Sequence, residues 1–192
     1  MGKSCCITGH RKVYSSSYLH DRIYRKIEML IRDNGVEYFY DGGSYGFDYI
    51  AGIIVCELKE KYPSVKLHMV LPCFKEEQTK YWSFDTIAKY DKLLSQADSV
   101  EYVSGHYYDG CMRDRNERLV DLGRDYCLCY VKPRAFRSGS AQTVRMAMAR
   151  GLEIVNVAFP NIENPDWAYV THGYQHTQDT SDTTNTFADF AF

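Results

Sequence analysis

Short apolar runs alternate along the chain with longer segments in which apolar residues recur every three or four positions. In the first such segment, Leu19, Ile23, Ile27 and Ile31 share this spacing, which puts their side chains on one face of a helix. Gly35 follows at a position suited to end that helix. On the same grounds, the predicted strands are 5–8, 36–40, 65–71, 99–103, 126–131 and 153–159, and the predicted helices are 19–31, 49–59, 87–94, 111–122 and 141–150.

The order of these elements predicts the fold class. Strand and helix alternate, which is typical of right-handed crossovers and of a mostly parallel sheet with helices on both faces. The strands are continuous apolar runs, as strands buried on both faces require. We therefore predict one α/β domain over residues 1–159, with a sheet of about six strands and a polar, aromatic loop at residues 73–82.

Residues 160–192 differ in composition from the rest of the chain. They are rich in Asn, Thr, Asp, Gln and His, and residues 175–186 include no aliphatic side chain. Such a segment has too little apolar surface to offset the entropy lost when a chain becomes ordered. We predict a polar C-terminal tail that is partly disordered.

Composition and charge argue against several classes of protein. The net charge of −2 gives the chain no overall basic field for nucleic acid, which does not exclude a local basic patch. No apolar run approaches the roughly 20 residues of a membrane span, and the first residues lack a signal-peptide pattern. The seven cysteines are odd in number and include no C-x-x-C pair, which favours buried free thiols in a reducing compartment. We predict a cytoplasmic protein with no membrane partner and, because no cluster has a recognised ligand spacing, no metal site.

Gly42, Gly43 and Gly46 lie between the second predicted strand and the helix that follows it. Glycine permits positive φ and close approach of a ligand to the backbone, and a helix N-terminus offers free N–H groups to an anion. The stretch is neither a Walker loop nor a G-x-G-x-x-G fingerprint, so it predicts an anion site, most often for phosphate, built from backbone alone. Asp48 follows closely. It caps the helix, holds a ribose hydroxyl or acts as a base, and it is the candidate catalytic residue.

Three further loops leave predicted strands on the same side of the sheet, where open parallel sheets bind ligands. In the first, His10 and Arg11 can reach a phosphate or a base. In the second, the guanidinium of Arg115 beside the amide of Asn116 suits phosphate and ribose. In the third, a turn of small and hydroxyl residues opens a helix, although Ser140 alternatively serves only as its N-cap. The predicted ligand-binding residues are Thr8, Gly9, His10, Arg11, Gly42, Gly43, Gly46, Arg115, Asn116, Gly139, Ser140 and Thr143.

These motifs together resemble a known family. Residues 7–11, 42–48, 115–116 and 138–143 occur in the order seen in the YpsA-like (DUF1273) branch of the SLOG superfamily. That superfamily also includes the DNA-processing protein DprA and the lonely-guy phosphoribohydrolases, which activate cytokinins. The resemblance covers about residues 4–158. It implies a Rossmann-like, three-layer α/β sandwich that binds nucleotides or nucleotide-derived ligands such as NAD or ADP-ribose, and many members are sensors in bacterial or phage conflict systems.

The resemblance has a departure that bears on catalysis. Lonely-guy enzymes carry a Pro-Gly-Gly-x-Gly-Thr-x-x-Glu motif with a catalytic Glu. In the corresponding stretch of this chain, residues 137–145, Ser138 stands in place of the first glycine. The stretch ends with Arg145 and has no Glu. This argues against phosphoribohydrolase activity of that type.

Three hypotheses follow for the function. The first is a sensor or binding protein for a nucleotide-like small molecule, with no certain cofactor. The second is an enzyme that hydrolyses an N-glycosidic bond in such a ligand. It needs a carboxylate near the ribose, for which Asp48 is the first candidate and Asp121 and Glu117 are the next. The third is a single-stranded DNA-binding protein of the DprA type, using Arg134, Phe136 and Arg137, which the acidic composition opposes. Because family members often pair through helices, the resemblance also implies a possible homodimer.

Overall fold

Six parallel strands form one sheet in the computed structural model, which describes residues 2–132 and 137–158. The sheet order is β4-β3-β2-β1-β5-β6, and every neighbouring pair is parallel. The parallel six-stranded sheet predicted from the alternation of elements is thus confirmed. The strands are β1 (Lys3–Gly9), β2 (Val36–Asp41), β3 (Lys66–Leu71), β4 (Ser99–Tyr102), β5 (Tyr126–Tyr130) and β6 (Glu153–Asn156).

The helices lie in two layers, one on each face of the sheet. They are α1 (Ser17–Arg32), α2 (Phe47–Lys61), α3 (Lys75–Gln78), α4 (Phe84–Gln96), α5 (Cys111–Leu122) and α6 (Gly139–Ala149). One apolar core joins α1, α2 and α4 to the sheet, with Ile27, Phe39 and Ile54 fully buried in it. A second core joins α5 and α6 to the opposite face, around Val120 and Val144. This is the three-layer, Rossmann-like sandwich that the family resemblance implies.

The bounds of most elements differ by a few residues from the sequence-based expectation, and two departures have a clear physical reason. The segment 73–82 contains the short helix α3, whose four polar residues have no apolar periodicity to reveal them. Strand β6 ends at Asn156 instead of continuing toward residue 159. There the Asn156 side-chain oxygen accepts from the Val131 amide at 3.2 Å, and its Nδ2 donates to the Val131 carbonyl at 2.9 Å. The side chain therefore takes up backbone groups that a longer strand would pair.

The cysteines agree with the prediction of free thiols. All seven are free, and all except the half-buried Cys56 are buried. Cys5 and Cys6 are consecutive in β1 and therefore face opposite sides of the sheet, one in each apolar core. They act as small apolar side chains that fill space against the sheet.

Strand β1 is the point at which the chain reverses its direction across the sheet. From β1 the chain runs outward to β4 and then returns to β5 on the other side of β1. Ile7 of β1 lies opposite Asp41 of β2 and Leu128 of β5, so the carboxyl ends of these strands stand at one level. The loops that leave β1 and β5 diverge there and open a crevice, the usual ligand position in such folds.

Some predicted features lie outside the described residues. The polar tail at 160–192, the end of the predicted domain at residue 159, and Arg134 and Phe136 of the nucleic-acid hypothesis all fall there. Within the described part of the chain, no helix combines the length and the apolar character that crossing a bilayer takes.

Candidate functional site

A cavity of about 610 Å³, here called the main cleft, opens beyond the carboxyl end of β1. It collects side chains from loops that are remote in sequence, as the parallel fold requires. Sequence analysis predicted nine of its lining residues, including Asp48. The lining residues are Thr8, Gly9, His10, Arg11, Lys12, Ser44, Asp48, Met112, Arg115, Asn116, Ser138, Gly139 and Ser140.

Four predicted ligand residues do not line the main cleft: Gly42, Gly43, Gly46 and Thr143. Thr143 is fully buried in α6, where its Oγ1 donates to the Gly139 carbonyl at 3.1 Å. The three glycines form the turn between β2 and α2, which we call the glycine turn (Gly42–Gly46). The glycines contact the loop after β1 and helix α5, and within the turn only Ser44 lines the main cleft.

The contacts of the glycine turn explain its composition. A Cβ on Gly42 would lie 1.5 Å from Nη1 of Arg115, so the glycine leaves room for the guanidinium. Gly46 has φ of 88°, and a Cβ there would lie 2.3 Å from the carbonyl oxygen of Arg11. The Gly43 amide donates to Oδ1 of Asp41 at 2.7 Å. That amide is occupied by the protein's own carboxylate, contrary to the expectation that the backbone of this turn is free to hold an anion.

The start of α6 does border the main cleft. Ser138 caps the helix, because its Oγ accepts from the Ala141 amide at 3.1 Å. Ser140, which sequence analysis considered as the cap, instead donates from its Oγ to the Gly9 carbonyl at 2.6 Å. Among the described residues outside the adjoining backbone, no atom lies within 4 Å of where a Cβ on Gly139 would stand. The positive end of the helix dipole therefore faces open space in the cleft.

Arg115 is a buried guanidinium on the second turn of α5, with only 8% of its surface exposed. Its Nε has no hydrogen-bond partner among the described residues, and Nη2 reaches only the sulfur of Met112, at 3.9 Å. Burial lowers the pKa of Arg115, while Asp48 and Asp41 raise it. A guanidinium nevertheless stays charged at neutral pH, so a positive group lines the cleft with unused donor capacity.

Two buried carboxyl groups, Asp41 and Asp48, lie near this guanidinium. Burial raises the pKa of Asp48 to about 7, and the charge of Arg115 partly offsets that rise. Burial also raises the pKa of Asp41 well above its ordinary value, and the charge of Asp48 adds to the effect. Oδ2 of Asp41 and Oδ1 of Asp48 have no hydrogen-bond partner among the described residues. Because each acid disfavours ionisation of the other, the pair retains a proton near neutral pH.

Arg11 and Lys12 bring two more cations to the rim of the main cleft. Arg11 is exposed, donates from Nε to Ser44 Oγ at 3.3 Å, and lies 5.4 Å from the centre of the Tyr45 ring. Within residues 2–132 and 137–158, Arg11, Lys12 and Arg115 form no ion pair with a carboxylate. The positive charge at this rim is therefore available to a ligand.

His10 and Asn116 complete the polar lining. Burial, followed by the charge of Lys132, lowers the pKa of His10, so its imidazole is neutral at pH 7. Its Nε2 accepts from the Lys132 amide at 3.0 Å, which leaves the proton on Nδ1. Asn116 is buried and donates from Nδ2 to Oε1 of Gln142 at 3.4 Å. This contact uses one hydrogen of Nδ2, so the amide keeps its oxygen and a second donor hydrogen for a ligand.

A second cavity of about 530 Å³ continues from the main cleft and shares Arg11, Ser44 and Arg115 with it. Its far side is formed by residues of the loop that carries α3, including Trp82. Sequence analysis missed these residues, and it missed Asp41, Ser44, Lys12 and Met112. A signal existed for Asp41, which ends an apolar strand directly before two glycines, and for Trp82, which stands in a polar loop after a parallel strand.

No group of three or more His, Cys, Asp or Glu side chains in the described residues is arranged to hold a metal ion. The lining of the main cleft has three cationic side chains and one carboxyl group, so it suits an organic anion better than a cation.

Comparison with known proteins agrees with the motifs. The model of the YspA SLOG family matches residues 6–153. A UPF0398 protein from Bacillus pumilus is 30% identical over 92 residues, which are 48% of each chain. Another, from Halalkalibacterium halodurans, is 31% identical over 116 residues, 59% of this chain and 60% of the relative. The matches thus span about half to three fifths of these relatives.

Among solved structures, S. aureus TarJ in complex with NADPH has 11% sequence identity and a TM-score of 0.35. The match covers 76% of this chain and 46% of that one. A similarity this weak says nothing about the ligand of the present chain. The family match, by contrast, extends from β1 to β6 and includes every loop of the main cleft. The chain therefore belongs to the YspA SLOG family, the YpsA-like branch that its motifs predict.

Proposed function

We propose that the chain binds a nucleotide or nucleotide-derived ligand, of the NAD, ADP-ribose or nucleoside phosphate class, in the main cleft and acts as a sensor or binding protein. The observation that carries the proposal is Arg115. Its guanidinium is buried, lines the cleft and has an unpartnered Nε. A buried charge with unsatisfied donors is costly unless a partner supplies acceptors, and a phosphate supplies them in matching geometry.

The surroundings of Arg115 support phosphate as that partner. Arg11 and Lys12 add charge at the rim, and the N-terminus of α6 points its free end at the same space. The chain has a net charge of −2, whereas the cleft lining has three cationic side chains and one carboxyl group. The Asn116 amide and the Asp48 carboxyl lie beside it and suit ribose hydroxyl groups, which both donate and accept.

Calorimetric titration with ADP-ribose tests the proposal. Arg11→Gln is the variant of choice, because Arg11 is exposed and its loss leaves the core intact. A hydrogen bond to a charged group contributes about 1.5–3 kcal/mol, so the dissociation constant should rise at least about tenfold. Arg113→Gln is the matched control. It changes the same residue type on α5, where the side chain is 65% exposed and paired with Glu117, and should leave the affinity unchanged.

Two outcomes would contradict the proposal. One is that wild-type protein binds none of ADP-ribose, NAD and AMP. The other is that Arg11→Gln and Arg113→Gln bind ADP-ribose equally well, which would place the ligand away from the main cleft.

Asp48 favours a second candidate function, hydrolysis of an N-glycosidic bond in the bound ligand. The carboxyl group lines the cleft beside Arg115, and its pKa near 7 leaves it partly protonated at neutral pH. Such a group can donate a proton to a leaving base or activate water. We expect wild-type protein, but not Asp48→Asn, to release nicotinamide from NAD or the base from nucleoside monophosphates. If product analysis finds the substrates intact, this reaction is excluded for those compounds.

A further inference from the structure

A third cavity of about 280 Å³, here called the aromatic pocket, lies between the start of α2 and helix α4. It is distinct from the charged lining of the main cleft, and Gly46 is the one predicted ligand residue in its lining. Its walls are apolar and aromatic, and its rim carries the polar groups of Ser15, Thr86 and Lys89. The apolar and aromatic side chains of its walls are those of Tyr45, Tyr49, Ile50, Trp82, Tyr90 and Leu93.

Ring contacts and hydrogen bonds hold the walls of this pocket in place. Trp82 meets the edge of Tyr45 at 5.2 Å and that of Tyr90 at 5.4 Å between ring centres. The Tyr90 hydroxyl donates to Oε1 of Gln78 at 3.1 Å, and Nε2 of Gln78 donates to the Gly43 carbonyl at 3.1 Å. Helix α4, helix α3 and the glycine turn are thereby joined, so the aromatic walls are formed before any ligand arrives.

The aromatic pocket adjoins the second cavity, which adjoins the main cleft. Ser44, Tyr45 and Trp82 line both the aromatic pocket and the second cavity, and the second cavity shares Arg11 and Arg115 with the main cleft. The guanidinium of Arg11 stands over the Tyr45 ring. One extended molecule can therefore have an anionic part at Arg11 and a flat apolar part beyond Tyr45.

We propose that the aromatic pocket receives the base of the ligand whose phosphate binds in the main cleft, and that the ligand is an extended nucleotide such as a dinucleotide or nucleoside diphosphate sugar. The inference rests on the proposed function and specifies where the base lies. At about 280 Å³, the pocket is at the lower end of small-molecule sites, which span roughly 300–1,000 Å³. It therefore suits one ring system and not a whole nucleotide.

The chemistry of the pocket also favours a base. Aromatic walls bind flat rings by stacking and edge contacts. Lys89 is exposed and forms no ion pair within residues 2–132 and 137–158. Its ammonium group only donates, which matches the ring-nitrogen acceptors of a purine. A purely aliphatic ligand would leave these rim groups unused.

Tryptophan fluorescence reports directly on this pocket. The chain has two tryptophans, Trp82 and Trp167, so the variant Trp167→Phe isolates the signal of Trp82. We expect ADP-ribose to change the Trp82 emission in a saturable manner. Ribose 5-phosphate, which has a phosphate but no base, should bind by calorimetry and leave the emission unchanged.

Substitution separates the base contact from the phosphate contact. Stacking on an aromatic side chain contributes about 1–3 kcal/mol per base, so Trp82→Ala should weaken ADP-ribose binding about fivefold or more. The affinity for ribose 5-phosphate should not change. Phe84→Ala is the control, because Phe84 is 84% exposed and lines none of the three cavities.

The outcomes distinguish this inference from the proposed function. If both probes bind but the Trp82 emission and the Trp82→Ala affinity stay at their control values, the base lies elsewhere and only this inference fails. If Trp82→Ala weakens both probes equally, the substitution acts on the cleft as a whole, and the inference is also overturned. If neither probe binds to the wild-type chain, the proposed function fails with it.

Discussion

Asp48 is a carboxyl group that the fold buries almost completely, with 3% of its surface exposed. Burial disfavours the charged form and raises the pKa from its ordinary value of 3.8 to about 7. Between these two pH values the folded chain holds a proton that the unfolded chain has released. Folding stability therefore decreases as pH rises through this window, since the folded state binds more protons than the unfolded state there.

This reasoning predicts the pH dependence of unfolding. The free energy of unfolding in urea should decrease from pH 4 to pH 7 in the wild-type chain, and less steeply in Asp48→Asn. One pKa unit corresponds to about 1.4 kcal/mol, so the decrease in unfolding free energy over this range should differ between the two proteins by on the order of a few kcal/mol. Asp109→Asn removes an exposed carboxylate and should keep the wild-type slope. Equal slopes in Asp48→Asn and wild type would mean that Asp48 is ionised throughout.

At the residue scale, the sequence predicted which polar residues belong to the candidate site better than it predicted how deeply each of them is buried. Asn116 was recognisable because helical spacing put an amide on the inward face of α5. That Arg115 is buried beside Asp41 and Asp48 was not recognisable, because this depends on how α5 crosses the sheet over the glycine turn. The space for the guanidinium exists only because Gly42 has no side chain, and this requirement joins residues far apart in the chain.

At the scale of elements, the glycine turn and the start of α6 use glycine for different reasons. Gly46 holds φ of 88° and ψ of −124°, a conformation that side chains other than glycine rarely adopt. Its backbone is also pressed against the loop after β1. A Cβ at Gly139 would have no neighbour within 4 Å among the described residues outside the adjoining backbone, so the described part of the fold does not require glycine there. A ligand that approaches the N-terminus of α6 would require glycine at this position, because a side chain would occupy the same space.

Alanine substitutions should therefore separate the two glycines. Gly46→Ala should lower the free energy of unfolding by roughly 1–3 kcal/mol or more, from backbone strain and from contact with the Arg11 carbonyl. Gly139→Ala should unfold like the wild type but bind ADP-ribose more weakly, because its methyl group occupies the main cleft. Urea unfolding and calorimetry measure the two effects. Wild-type affinity in Gly139→Ala would show that no ligand approaches α6, and wild-type stability in Gly46→Ala would contradict the account of the turn.

Periodicity predicted the long elements because their apolar faces are buried. Leu19, Ile23 and Ile27 of α1 are almost wholly buried from solvent. Their helical spacing in the sequence reflects this burial. The short helix α3 has no buried residue, so no pattern in the sequence marks it. Gln78 at its end nevertheless links the glycine turn to α4 and so shapes the aromatic pocket. The part of the candidate site that depends on α3 could not be predicted from hydrophobic spacing.

At the scale of the whole molecule, the parallel sheet collects the ligand residues at one edge. The sequence predicted that edge, since all loops that follow parallel strands lie on the same side. It did not predict the strand order, which puts β1 between β2 and β5. Because of that order, the loop after β1, the glycine turn and the start of α6 adjoin one another. The glycine turn follows β2 and helix α6 follows β5, so these loops belong to the two halves of the sheet on either side of β1.

A ligand that contacts both halves should restrain their loops together, and this gives the last prediction. At saturation, ADP-ribose should slow amide hydrogen exchange in residues 8–12, 112–116 and 137–140, because binding to the folded state raises the free energy of local opening. Loops at the opposite edge, residues 33–35, 62–65 and 123–125, serve as internal controls and should exchange as before. Protection confined to one half of the sheet would mean that the ligand does not bridge β1. Equal protection at both edges would mean general stabilisation and would contradict the assignment of the ligand to the main cleft.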